Sequence, residues 1–141
     1  MTLDDLKVQL VKHEGLELMP YKCTAGKLTI GVGRNIEDRG ISYAEAMMLL
    51  ENDLMLYSSE LGKAFPIVRE LDTVRKMTLI NMAFNLGLTK LRQFKMMWAA
   101  IEDNDFEVAA QEMLNSKWAS DVGKRALELS EQMRTGLYNA S

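Results

Sequence analysis

Three side chains of complementary chemistry lie close together near the N-terminus, within the stretch HEGLELMPYKCTAGKLTIGVG: the acid Glu14, the only cysteine, Cys23, and the hydroxyl of Thr29. A carboxyl group at the C-terminal end of a helix, on its apolar side, is favoured in its protonated form by desolvation and by the negative end of the helix dipole. A group so placed can give a proton to a leaving oxygen, the task of the general acid in glycoside cleavage. A threonine hydroxyl has one donor and two acceptor sites, enough to orient a water for attack. A thiol at the same centre acts through its thiolate, as base or nucleophile. Each residue also has a plainer reading: Glu14 reaching water or Lys12, Thr29 chosen for its β-branching, Cys23 as a small buried hydrophobe.

The elements that must position them follow from the spacing. Thr2 with Asp5 forms a capping-box start, and Leu3, Leu6, Leu10 and Val11 repeat at helical intervals. On a wheel of about 100° per residue Glu14 falls about 20° from Leu3, so its carboxyl continues the apolar face, and Gly15 ends the helix. From Met19 to Gly33 the pattern changes to short segments around Ala25-Gly26, a β-hairpin. A two-residue loop would put Cys23 and Thr29 on opposite faces; a loop of three or five residues is expected to make them directly opposed neighbours. Gly31 and Gly33 imply close backbone approach, by ligand or by packed chain.

Arg34 to Gly40 is polar and reads as a loop or short third strand. Ser42 with Glu45 opens a helix running through Leu61, Pro66 breaks the pattern, and Asp72 caps TVRKMTLINMAFNLG, a central helix apolar on nearly every side. Beyond Gly87 to Lys90, helical segments are expected over Phe94 to Ile101, Phe106 to Trp118 and Asp121 to Arg134. Trp98, Trp118 and the methionines have the spacing of core residues. Lys124, Arg125 and Arg134 read as a solvated helix face. The fold class is α+β, with strands segregated near the N-terminus.

At 141 residues the chain fits one domain, or one domain whose two lobes share a helix. Apolar and charged fractions of 48% and 26% exclude a disordered or fibrous chain, and a net charge of −3 gives no reason to expect nucleic acid or an anionic membrane as partner. A single cysteine cannot close an intramolecular disulfide, so synthesis in the cytoplasm is the simplest expectation. The acidic, amphipathic first turn is unlike a secretion signal, and no stretch approaches the ~18 apolar residues of a membrane span. No zinc cluster is expected, and neither a metal nor another cofactor is implied.

Taken together, E-G-L-x-L-x-x-Y-x-C-T-x-G-x-x-T-I-G-x-G-R resembles the active-site region of the phage-type, T4-like lysozymes, the muramidases of glycoside hydrolase family 24. GISYAEAMMLLENDL resembles the connecting segment and helix of that family, DTVRKMTLINMAFNLG its central helix, and NSKW, KRA and MRTGLY its closing helices. The resemblance implies a lysozyme-like fold: residues 1–42 a catalytic lobe with a short sheet, 43–62 a connecting helix, 63–141 a mainly helical lobe.

By the same resemblance Glu14 is the catalytic acid and Thr29 helps to hold the attacking water. Cys23 stands where the family usually has aspartate. Phe84 is expected to contact sugar and Asn85 to hydrogen-bond it, facing a cleft opposite the hairpin, with Asn35 at the lip. The implied activity is hydrolysis of the β-1,4 bond between N-acetylmuramic acid and N-acetylglucosamine in bacterial peptidoglycan, with inversion favoured.

The implied setting is a monomeric phage or prophage endolysin. It would be made in the host cytoplasm, released by a holin and active at the wall, without membrane insertion. An unperturbed thiol is only a few per cent thiolate at neutral pH, where aspartate is ionised. Cys23 is therefore a depressed-pKa thiolate, a neutral thiol that positions water, or a change that weakens the enzyme. In the extreme the last becomes a lysozyme-like module that binds peptidoglycan without cutting it.

Overall fold

A computed structural model describes residues 1–138; the last three residues of the expected helical lobe, 139–141, lie outside the described residues. The chain forms two compact units, Met1–Leu49 and Leu50–Ser141. The division falls inside a single helix, α3 (Tyr43–Ala64).

The first unit opens on α1 (Leu3–Glu14), whose capping box is complete: Thr2 N–H donates to Asp5 at 2.8 Å, and Asp5 N–H donates to the Thr2 hydroxyl at 3.1 Å. Gly15, at φ 82°, ends it with an N–H donated to the Val11 carbonyl. Strands β1 (Glu17–Lys22), β2 (Leu28–Gly31) and β3 (Arg34–Asn35) then form an antiparallel sheet in sequence order. After β3 the polar segment turns into a one-turn helix, α2 (Ile36–Arg39), capped by the Asn35 side chain. Thr29 is the only buried residue among the first 49.

The second unit holds the hydrophobic core. It comprises the rest of α3, a 3-10 turn at Pro66–Glu70, and helices α4 (Thr73–Leu86), α5 (Leu88–Leu91), α6 (Lys95–Glu102), α7 (Phe106–Leu114), α8 (Lys117–Val122) and α9 (Lys124–Thr135). Asp72 caps α4, which buries Thr78, Leu79, Ile80, Met82 and Ala83. Trp98 stacks on Phe65 with ring centroids 3.8 Å apart, and both tryptophans are buried, as their spacing implied. Arg75 crosses from α4 to the end of α9, donating to the Met133 and Arg134 carbonyls and lying 3.7 Å over the Phe106 ring.

Two expected helices are corrected. Asp121 to Arg134 is interrupted at Gly123, at φ 58°, with Asp121 and Val122 in α8 and α9 starting at Lys124. Phe106 to Trp118 is not continuous: α7 stops at Leu114, and the Ser116 hydroxyl caps α8 by accepting from Ala119 N–H. A hydroxyl that takes the N–H of the residue three positions on starts a new helix where the apolar pattern alone runs straight through.

Candidate active site

The hairpin joining β1 to β2 sets the placement of Cys23. Cys23 N–H donates to the Lys27 carbonyl at 2.9 Å and Gly26 N–H to the Cys23 carbonyl at 2.8 Å, leaving a three-residue loop with Gly26 at φ 77°. This is a turn followed by a left-handed residue, which glycine adopts without steric cost. Tyr21 pairs with Thr29 and Lys22 with Leu28. Cys23 and Thr29 therefore share a face as diagonal neighbours; the direct opposition expected for such a loop is corrected. A three-residue loop puts Lys27, not Thr29, across from Cys23.

The Lys27 carbonyl ties the two together. It accepts from Cys23 N–H and also from the Thr29 hydroxyl at 2.8 Å. The backbone N–H groups of Lys27 and then Ala25, with smaller help from the Thr29 hydroxyl, hold the Cys23 thiol below its ordinary pKa against a partial desolvation that raises it. Hydrogen bonds to the charged form of an acid favour that form, and the thiolate is the charged form. The hydroxyl has one proton for two acceptors. While Cys23 is a neutral thiol, the carbonyl oxygen is the better acceptor and takes it. Cys23 itself is half-buried, and Thr29 is buried.

Glu14 is held differently from the sequence expectation. No residue of α1 is buried, and Leu3, Leu6, Leu10, Val11 and Glu14 are all exposed. The apolar residues of α1 therefore do not enclose the Glu14 side chain. What engages it is the turn between β2 and β3: a methyl group built on Gly33 would lie 3.5 Å from Glu14 Oε2 and 3.9 Å from its Cβ. Gly33 sits at φ 67° and Gly31 at φ 71°, with no heavy atom of the described residues within 4 Å of the position a Gly31 methyl would take. Gly33 is thus the close approach that the glycine spacing implied, made by Glu14. Gly31 is required by its backbone angle.

The structure brings Cys23 to Thr29 and Glu14 to the Gly33 turn, which continues the strand carrying Thr29. The two asparagines have structural partners. Asn35 accepts from Asp38 N–H at 3.0 Å and donates to the Asp38 carboxylate. Asn85, exposed at the end of α4, accepts from the Trp118 indole at 2.8 Å. Phe84 is exposed on the same turn, edge-on to Tyr57.

Sequence reasoning gave Arg34 no role and Glu45 only a cap. Arg34 makes a two-point pair with Glu45, each contact 2.9 Å, and Glu45 also completes its capping box with Ser42. The Gly-x-Gly-Arg spacing was visible, but its partner eleven residues on was not.

The chain matches the family model described as phage lysozyme over residues 11–135. The chain belongs to the phage lysozyme family. It is 29% identical to the probable T4-type lysozyme 1 of Dictyostelium discoideum, with 98% of each chain covered. It is 28% identical to the SAR-endolysin of Escherichia phage Mu, over 86% of this chain and 74% of that protein. It is also 27% identical to the pre-baseplate central spike protein Gp5 of Enterobacteria phage T4, covering 90% of this chain but 27% of Gp5. The small antiparallel sheet beside a predominantly helical chain is the α+β, lysozyme-like fold expected. This lysozyme is accordingly a glycoside hydrolase. Among the described residues no helix is long and apolar enough to cross a membrane.

Proposed function

We propose that this lysozyme cuts the β-1,4 bond between N-acetylmuramic acid and N-acetylglucosamine with Glu14 as general acid, Cys23 as thiolate base and Thr29 as water holder. Glu14 gives its proton to the leaving glycosidic oxygen as the bond to the anomeric carbon breaks. A water attacks that carbon from the other side, passing one proton to the Cys23 thiolate and donating the other to the Thr29 oxygen. Its free lone pair then points at the sugar. The products are a reducing end of inverted configuration, a Glu14 carboxylate and a Cys23 thiol, which solvent returns to their starting protonation states.

The observation that carries this reading is the cluster at Cys23. Backbone N–H groups of Lys27 and Ala25 favour the thiolate, and the Thr29 hydroxyl, whether its one proton goes to Lys27 O or to the sulfur, keeps its lone pairs as acceptors for water. A negative group here supplies the charge that a positive, oxocarbenium-like transition state needs. Phe84 and the amide N–H groups of Asn85, which have no partner among the described residues, belong to the proposal as glycan contacts. Asn35 belongs to it as a residue that shapes the lip while capping α2. The proposed setting is a phage or prophage endolysin, monomeric, dependent on a holin and acting on the wall outside the membrane.

The test is release of reducing ends from purified peptidoglycan by wild type, Glu14→Gln and Cys23→Ala. Wild type should be active and both variants at least about 100-fold slower. Cleavage by Cys23→Ala at the wild-type rate removes the thiol from the mechanism. Binding by wild type without any reducing-end release makes the chain a non-cutting module.

A further inference from the structure

Arg34 follows directly on Gly33, the residue against which Glu14 rests, and starts a strand that is only two residues long, paired through Thr29 with Asn35 and Ile30 with Arg34. Two backbone pairs are a weak anchor for a turn whose two glycines both sit at positive φ. The side chain of Arg34 supplies a stronger one. Its Nη1 and Nη2 each lie 2.9 Å from a different Glu45 oxygen, Nη1 also donates to the Gly40 carbonyl at 3.2 Å, and the side chain is only 23% exposed. Glu45 is fixed in turn, because the same Oε1 accepts Ser42 N–H at 2.8 Å at the start of α3. A planar guanidinium meeting both carboxylate oxygens defines direction as well as distance, which a lysine ammonium cannot do.

We propose that Arg34, locked to Glu45, is a positioning residue for Glu14. By fixing β3 to the first turn of α3 it holds the Gly31–Gly33 turn, and through Gly33 the acid's carboxylate, at one place relative to Thr29 on the neighbouring strand. The inference rests on Glu14 being the general acid. Arg34 touches neither substrate nor reacting atoms, so its loss changes the efficiency of proton transfer more than binding.

The experiment measures initial rates of reducing-end release against peptidoglycan concentration for wild type, Arg34→Met, Arg34→Lys, Ser42→Ala and Glu14→Gln. All are assayed well below their unfolding midpoints, with folding checked by circular dichroism. Arg34→Met should lower kcat about 10- to 100-fold, the scale of a displaced catalytic group, with KM within about threefold of wild type. Arg34→Lys, keeping the charge but losing the two-point geometry, should recover only part of that loss. Ser42→Ala weakens the same helix start without touching Arg34, and its kcat should stay at the wild-type level.

The positioning role is overturned if kcat of a folded Arg34→Met is within about twofold of wild type. It is equally overturned if KM alone rises, if the loss follows the unfolded fraction, or if Arg34→Lys restores the full rate. Should Arg34→Met not fold, Arg34→Lys carries the same test. Glu14→Gln separates the two ideas. If it stays active, the acid assignment fails; if it is inactive while Arg34→Met keeps its kcat, only the positioning role fails.

Discussion

Substituting Gly33 by alanine tests how closely the glycine turn governs Glu14, and the structure supplies a matched control in Gly31→Ala. Gly33 and Gly31 sit at φ 67° and 71°, a region that costs an L-residue roughly 1–2 kcal/mol. That cost applies equally to both substitutions. The contacts differ: a methyl on Gly33 meets Glu14 Oε2 at 3.5 Å and Cδ at 4.0 Å, which is ordinary van der Waals contact, whereas a methyl on Gly31 meets nothing of the described residues within 4 Å. Both variants should therefore unfold at temperatures lower by roughly 2–8 °C, the shift that 1–2 kcal/mol produces in a chain of this size. Only Gly33→Ala places an apolar group beside the carboxylate, removing water from one side of Oε2 and narrowing its range of positions. Its kcat, read as reducing-end release at 25 °C, should fall roughly three- to tenfold below that of Gly31→Ala. Equal kcat in the two variants refutes the claim that Gly33 governs the acid. A Gly33→Ala that fails to fold where Gly31→Ala folds refutes the steric reading, because a 3.5 Å contact has no overlap to relieve.

Three further outcomes follow from other parts of the molecule. The Cys23 thiol is held below its ordinary value by the Lys27 and Ala25 N–H groups, so its thiolate forms at lower pH than in a free cysteine. The rising limb of activity and the rate of iodoacetamide alkylation should share a midpoint below that of a free cysteine, Cys23→Asp should move the limb into the carboxylate range, and separate midpoints would break the thiolate mechanism. Glu45 is lowered to about 2, first by Arg34 and then by the Ser42 N–H. A carboxylate with a depressed folded value stabilises above its unfolded value of about 4.3 and loses that contribution as pH falls towards about 2. The gap in thermal midpoint between wild type and Glu45→Gln should thus close as pH falls from 5 to 2, and a gap independent of pH would contradict the pair. Arg75→Met leaves the Met133 and Arg134 carbonyls without their donor at the end of α9. It should cost about 2–3 kcal/mol in urea unfolding, and a change below about 0.5 would show that water replaces the guanidinium.

The features legible in the sequence were those whose partners lie within one turn. Thr2 with Asp5, Ser42 with Glu45, and Asp72 before α4 all formed as read, because a cap depends on a side chain and an N–H three residues apart. The hairpin was legible as a hairpin. The diagonal placement of Cys23 and Thr29 was not, since it turns on Gly26 taking a left-handed angle and making the loop three residues long. Partners further along the chain were hidden in the same way. The amide of Asn85 is held by Trp118, thirty-three residues on, and Arg34 by Glu45 across α2. The exposure of Glu14 was out of reach for another reason. A helical wheel shows which residues share a face, but not whether anything covers it.

The cysteine at position 23 can be understood from the loop that holds it. The groups that lower its pKa most are backbone N–H groups, from Lys27 and Ala25, placed by the turn and not by the side chain they serve. A carboxylate at the same position would find a donor-rich backbone of the same kind, so exchanging aspartate for cysteine requires no rebuilding of the hairpin. The exchange does alter the condition for charge. Aspartate is ionised throughout the neutral range on its own account, whereas a thiol becomes charged there only as far as the surrounding donors carry it. In this lysozyme the backbone of the loop provides for a negative group, and the residue at position 23 sets the pH above which that group is present. A thiolate is also larger and more weakly hydrated than a carboxylate, so under the proposed mechanism the Thr29 oxygen, tethered through Lys27 to the same loop, is the better-defined hold on the attacking water. Removing that hydroxyl with Thr29→Val should therefore cost more activity in the cysteine enzyme than in Cys23→Asp, a comparison that a double-mutant cycle on peptidoglycan cleavage reads directly. Equal losses in the two backgrounds would separate Thr29 from the chemistry of residue 23.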